Sequence, residues 1–155
     1  MSQPVPAGGL FHPVPVIAVA LLLLNDHWLK AAHPSWMTGK LSDVAGMVFF
    51  PLMLQALWEM VASRFQSPFK PSKKVLLWCV VLTALVFGSI QLFPWAADGY
   101  RWGLGMIQWP FWAARALVSG SGVPALAPVA HVADPTDLVA LPGVLIAWWT
   151  GKRRI

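Results

Sequence analysis

The hydrophobic positions of this chain come in four blocks separated by polar, proline-bearing stretches. The clearest block, residues 75–93 (VLLWCVVLTALVFGSIQLF), carries no charge over nineteen residues. As a helix it is ~28 Å long, close to the hydrocarbon thickness of a bilayer. A second block, residues 44–62, is apolar except for Gln55 and Glu59, with Pro51 placed to kink it. The two end blocks are shorter. Residues 14–24 form an apolar run of eleven, which must extend from about Leu10 or Pro13 to about Leu29 to cross a membrane. No basic residue precedes this run and no A-x-A pattern follows it, so it reads as a retained span and not as a signal peptide. Residues 138–150 are closed by the tail Lys152-Arg153-Arg154.

These blocks predict an all-α polytopic membrane bundle forming one integral domain over 1–155. Its four transmembrane helices are expected at about 10–31, 43–62, 75–93 and 135–150. Residues 104–118 (LGMIQWPFWAARALV) fit none of them. Arg101, Gln108 and Arg115 recur every seven residues, so a helix would align them on one polar face. Pro110 argues against a single unbroken helix. The stretch is expected to lie as an interfacial segment in the outer leaflet.

Composition strengthens this picture. Hydrophobic residues are 57% of the chain and charged residues 11%, against roughly 25% charged in a soluble domain. A cytosolic enzyme and a disordered linker are excluded, and the single cysteine excludes a disulfide scaffold. The formal charge of +5 does not point to nucleic acid, because its clusters flank apolar blocks and no basic reading face is present. The lipid bilayer is the expected partner. Arg64, Lys70, Lys73 and Lys74 fall in one loop and Lys152, Arg153 and Arg154 in the tail, so both termini are expected in the cytoplasm. Lys30, Lys40, Arg101 and Arg115 remain outside. Trp58, Trp78, Trp148 and Trp149 then lie near the inner interface. Trp28, Trp36, Trp95, Trp102, Trp109 and Trp112 lie near or beyond the outer one.

With that topology, Asp26, Asp43, Asp98, Asp134 and Asp137 share the outer side with His27, His33 and His131. Ionisable groups at membrane depth are costly, and Asn25, Asp26 and His27 fall inside the boundary if the first helix reaches Leu29. Asp26, His27, Asp43 and Asp137 are therefore the candidate catalytic set, with an Asp/His pair as general base and Lys30 or Lys40 holding a phosphate or carboxylate. His131, Asp134 and Asp137 are spaced H-x-x-D-x-x-D and are the candidate ligands of a divalent metal such as zinc, manganese or iron. The competing reading is helix capping, by Ser42 before Asp43 and by Asp134 before Pro135. Glu59 is expected to pair with Arg64, His33 to be solvated, and Cys79 to fill space mid-span. A short repeat relates Ser42-Asp43-Val44-Ala45 to Thr136-Asp137-Leu138-Val139-Ala140, and it would bring both starts to one face.

The strings NDHWLK (25–30) and TGKLSDVAG (38–46) resemble those of uncharacterised bacterial multi-pass membrane proteins. The resemblance covers about the first third of the chain and implies a fold class but no activity. Three functions are compatible with the sequence. The first is a non-catalytic subunit packing against a membrane partner or a second copy. The second is a membrane-embedded metal-binding protein, hydrolase or transferase acting at the outer surface. The third is a small oligomeric transporter.

Overall fold

The computed structural model describes residues 5–155, which are all-helical with five helices and no strand. Helix α1 spans Pro13–Ala32, α2 Trp36–Ala62, α3 Lys73–Leu92, α4 Pro94–Val118 and α5 Gly143–Lys152. Two 3-10 turns, Gly8–Phe11 and Pro135–Ala140, precede α1 and α5. Helices α1, α2 and α3 are long and apolar enough to cross a membrane. At 1.5 Å per residue they measure ~30, ~40 and ~30 Å.

Local chemistry sets the helix ends. Pro13 opens α1, and His12 caps it by accepting the Val14 amide at Nδ1. Ser35 opens α2 through a reciprocal capping box. Its Oγ accepts the Thr38 amide at 3.2 Å, and Thr38 Oγ1 accepts the Ser35 amide at 3.0 Å. This start lies seven residues before the expected one at 43, because hydropathy marks where the apolar run begins and not where the backbone turns. Phe93 is extended, as the residue before a proline must be, and it separates α3 from α4 at Pro94.

Three expectations need correction. Helix α4 runs unbroken through Pro110, so 104–118 is the C-terminal part of a longer helix and not a separate segment. Proline removes one backbone hydrogen bond, whereas stopping the helix there would orphan a full turn of them. The last span, 135–150, is not one helix. It is the 3-10 turn Pro135–Ala140, a break at Leu141-Pro142, and the ten-residue α5, together ~27 Å. The repeat does not extend to local structure: Ser42 lies in the second turn of a long α-helix and Thr136 in a 3-10 turn, although Asp43 and Asp137 do come within electrostatic reach of each other.

The chain forms two compact units. The first comprises residues up to Val86 together with Thr136–Ile155. In it, α2 is the central helix, packed against α1 and against α5. Ala45, Met47, Val48, Leu52 and Ala56 of α2 are buried. Helix α5 approaches through Gly143, Ala147 and Gly151, one small residue per turn, the arrangement that lets helices pack closely where lipid gives no hydrophobic drive. A Cβ on Gly143 would stand 2.9 Å from Met47 Cβ and 3.1 Å from the Val44 carbonyl. A Cβ on Gly151 would stand 2.7 Å from Leu76 Cδ2 and 3.2 Å from Leu52 Cδ2.

The second unit is Phe87–Pro135. Residues 121–134 carry no regular secondary structure and run back along α4. Arg101 holds them twice, its carbonyl accepting the Val129 amide at 3.0 Å and its Nε donating to the Val129 carbonyl at 3.2 Å. Trp109 Nε1 donates to the Pro124 carbonyl at 2.9 Å, and Gly105 lies directly against the Ala127 carbonyl. Gln91 Oε1 accepts the Asp134 amide at 3.0 Å. Across the described residues, every tryptophan except Trp148 is exposed, as are Leu77, Leu82, Leu85, Ile107 and Phe111. Such a surface suits hydrocarbon and not water.

Candidate functional site

The polar residues of the first unit gather at the two ends of α2. At its N-terminal end, α1 widens into a π turn over Asn25–Leu29. Turns of this kind insert an extra residue into the helix and are frequent at functional sites. Here the turn brings Asn25 and Asp26 together onto Ser42. Asn25 is fully buried and its Nδ2 donates to Ser42 Oγ and to the Thr38 carbonyl, both at 2.7 Å. Its Oδ1 meets no donor. Ser42 Oγ donates in turn to Asp26 Oδ1 at 2.6 Å, and Lys30 Nζ donates to the same oxygen at 2.7 Å.

Two residues before Ser42, and so on nearly the opposite side of α2, Lys40 faces the C-terminal segment. Its ammonium pairs with Asp137 and donates to Thr136 Oγ1 at 2.7 Å. The Lys40 and Asp137 side chains are 10% and 14% exposed, so this pair is shielded from water. Lys30 and Asp26, at 43% and 39%, are not. Asp43 lies within electrostatic reach of Asp137, Lys30, Lys40 and Asp26. Asp26, Asp43 and Asp137 thus stand around one helix end, brought there by three chain segments. Two lysines accompany them.

His27 is within electrostatic reach of Asp26 but makes its hydrogen bond elsewhere. Its Nδ1 faces the Leu23 carbonyl of its own helix at 3.0 Å, and the ring is exposed. Ser42 is not a helix cap, since the cap is Ser35, and its hydroxyl serves Asp26 and Asn25 instead. No group of three or more His, Cys, Asp or Glu that could hold a metal ion is found among the described residues. His131 and Asp134 belong to one unit and Asp137 to the other. Each has other company. His131 stands edge-on to Tyr100 with ring centroids 5.3 Å apart, the Asp134 amide bonds Gln91, and Asp137 faces an ammonium. A lysine already occupies the place of a cation.

The other end of α2 carries a second buried charge. Glu59 is 2% exposed and pairs with Arg154, whose Nη1 lies 2.9 Å from Oε2 and 3.2 Å from Oε1. Gln55 Nε2 donates to Oε1 at 3.0 Å and the Ala7 amide to Oε2 at 2.9 Å. The Arg154 guanidinium also bonds the Val5 carbonyl and lies over Gly8 and Gly9. The expected partner Arg64 is exposed beyond the helix end at Ala62, off the face that holds Glu59. Sequence reasoning missed Arg154, Thr136, and Ser42 as a bridge. Only the four-residue spacing of Gly143, Ala147 and Gly151 signals that the C-terminal segment packs closely enough to deliver Thr136 and Arg154. No family model, curated protein or solved structure matches this chain.

Proposed function

We propose that the chain is a small bacterial inner-membrane protein acting as a non-catalytic subunit, with both termini in the cytoplasm and the Asp26–Asp43–Asp137 cluster on the outer side. The supporting observation is that two of the three carboxylates are paired within the chain. Asp26 is held by Lys30 and Ser42, and Asp137 by Lys40, so these side chains bind chain segments to one another. A general base or nucleophile needs a lone pair directed at a substrate position, and Asp26 Oδ1 and Asp137 Oδ1 are directed at lysine and serine. The face offered to a partner is the apolar, tryptophan-rich surface, where Trp and its neighbours supply large contact area.

Photo-crosslinking in intact cells tests this reading. Trp95, Trp102 and Trp112 are replaced one at a time by a photoreactive phenylalanine analogue. A discrete protein adduct, either with another membrane protein or with a second copy, is the expected result. Adducts with lipid alone from all three positions would overturn it.

A further inference from the structure

A cavity of about 330 Å³ lies in the first unit, between the 3-10 turn Gly8–Phe11, the middle of α2 and the end of α5. Its volume is at the lower end of the range for small-molecule sites. Phe11, Pro13 and Leu52 give it an apolar wall, and Gln55, Thr150, Arg154 and His12 a polar one, with His12 Nδ1 already accepting the Val14 amide. Thr150 is 5% exposed and its Oγ1 has no hydrogen-bond partner. A buried hydroxyl left unpaired costs free energy unless something in the cavity completes it. Gln55, also buried, spends its amide nitrogen on Glu59 and retains a carbonyl oxygen as acceptor. The charges beside the cavity, Arg154 and Glu59, neutralise each other.

From these features we infer that the cavity binds an uncharged lipid bearing a hydroxyl group, seated with its chain on Phe11, Pro13 and Leu52 and its hydroxyl between Thr150 and Gln55. A hydroxyl is the group that both sides require, since it accepts from Thr150 Oγ1 and donates to the Gln55 carbonyl. A carboxylate or an ammonium would add an uncompensated charge beside a pair that is already balanced. A plain alkane would fill the apolar wall and leave both polar groups unpaired. The lipid reaches the site from the bilayer, so the inference rests on the membrane-embedded reading of the chain. That reading is checked separately by whether the protein stays with the membrane on alkaline extraction.

The test uses the full chain in lipid nanodiscs and a twelve-carbon alcohol carrying a photoreactive diazirine on its chain. Labelling is mapped by mass spectrometry. Adducts are expected at Phe11, Pro13 and Leu52. A tenfold excess of dodecan-1-ol should reduce them at least fivefold, while dodecane and dodecanoate should leave them within twofold. Thr150→Val keeps the side-chain shape and should lower labelling severalfold, whereas Thr150→Ser should retain it. The competition is run on the unaltered protein, so it holds even if Thr150→Val fails to fold. Equal competition by dodecane, stronger competition by dodecanoate, or labelling spread evenly over all exposed helices would each overturn the inference.

Discussion

Lys40 and Glu59 stand nineteen residues apart on α2, which is ~28 Å along a helix, and each is paired with a residue of the C-terminal segment, Asp137 and Arg154. The separation matches the hydrocarbon thickness of a bilayer. The face of α2 between them is made of Ala45, Met47, Val48, Leu52 and Ala56, closed by α5. The two ion pairs therefore bracket an apolar helix–helix contact, and neither charge interrupts it.

Breaking either bracket leaves a buried charge without its partner. Asp137→Asn and Glu59→Gln should each destabilise the protein by about 3–5 kcal/mol, the usual cost of removing one member of a shielded pair. Lys30→Ala, at an exposed pair within one helix, should cost about 0.5 kcal/mol or less. Unfolding in detergent, followed by tryptophan fluorescence, separates the two classes. Equal small losses at all three positions would mean that the brackets carry no stability.

The α2–α5 contact should tolerate a methyl group better at one glycine than at the other. Gly143→Ala meets Met47 Cβ and a backbone carbonyl, neither of which can move alone, whereas Gly151→Ala meets the ends of two leucine side chains. The first should cost about 1–3 kcal/mol, as overpacking does, and the second less. Reversal of that order in melting temperature would count against the packing described.

Ser42→Ala removes both the donor to Asp26 and the acceptor for Asn25. The buried Asn25 loses one of its two acceptors and the exposed Asp26 one of its two donors, and a loss of about 1–3 kcal/mol is expected. His27→Ala, whose ring faces only its own helix, should stay within about 0.5 kcal/mol. If the two substitutions prove alike, Ser42 is no bridge.

Gly105→Ala places a methyl group against the Ala127 carbonyl and should lift residues 121–134 from α4. Trp109, which donates to the Pro124 carbonyl from the same helix, provides the signal: its emission should shift to the red as the indole loses that contact. An unchanged spectrum would show that the segment does not depend on close approach at this glycine.

Reporter fusions after Ile155 and within residues 64–74 should both report the cytoplasm, because seven of the eleven basic residues lie in those two places. A periplasmic signal at the C-terminus would require 104–118 to cross the membrane.

Much of the fold was legible because hydropathy is a strong signal wherever an apolar run is uninterrupted. The expected span 75–93 and helix α3, Lys73–Leu92, differ by no more than two residues at either end. It failed where polar residues are carried inside a helix. Thr38, Lys40 and Ser42 read as a loop and a cap, yet they lie in the first two turns of α2, because the capping box at Ser35 starts the helix upstream of the apolar run. The acidic cluster was half legible. Asp26, Asp43 and Asp137 could be grouped from topology, but which lysine meets which carboxylate depends on the rotation of α2 about its axis, and no local pattern states that. The pairing of Glu59 with Arg154 spans ninety-five residues and rests on close packing at Gly143 and Gly151. The H-x-x-D-x-x-D spacing says nothing of Lys40, which meets Asp137 from a distant part of the chain.

The distribution of partners along the chain also sets an order of assembly. Asn25, Asp26, Lys30, Thr38 and Ser42 belong to the first two helices, so their contacts can form as soon as that hairpin has left the ribosome. Lys40 and Glu59 must wait for Asp137 and Arg154, each made about ninety-five residues later. At about 5–20 residues per second, that interval is roughly five to twenty seconds. During it, the inserted α2 holds two charges whose counterparts have yet to be translated. Docking of the last segment is therefore the step that commits the bundle, and a nascent chain stalled before it would present an unbalanced helix to the quality-control proteases of its membrane.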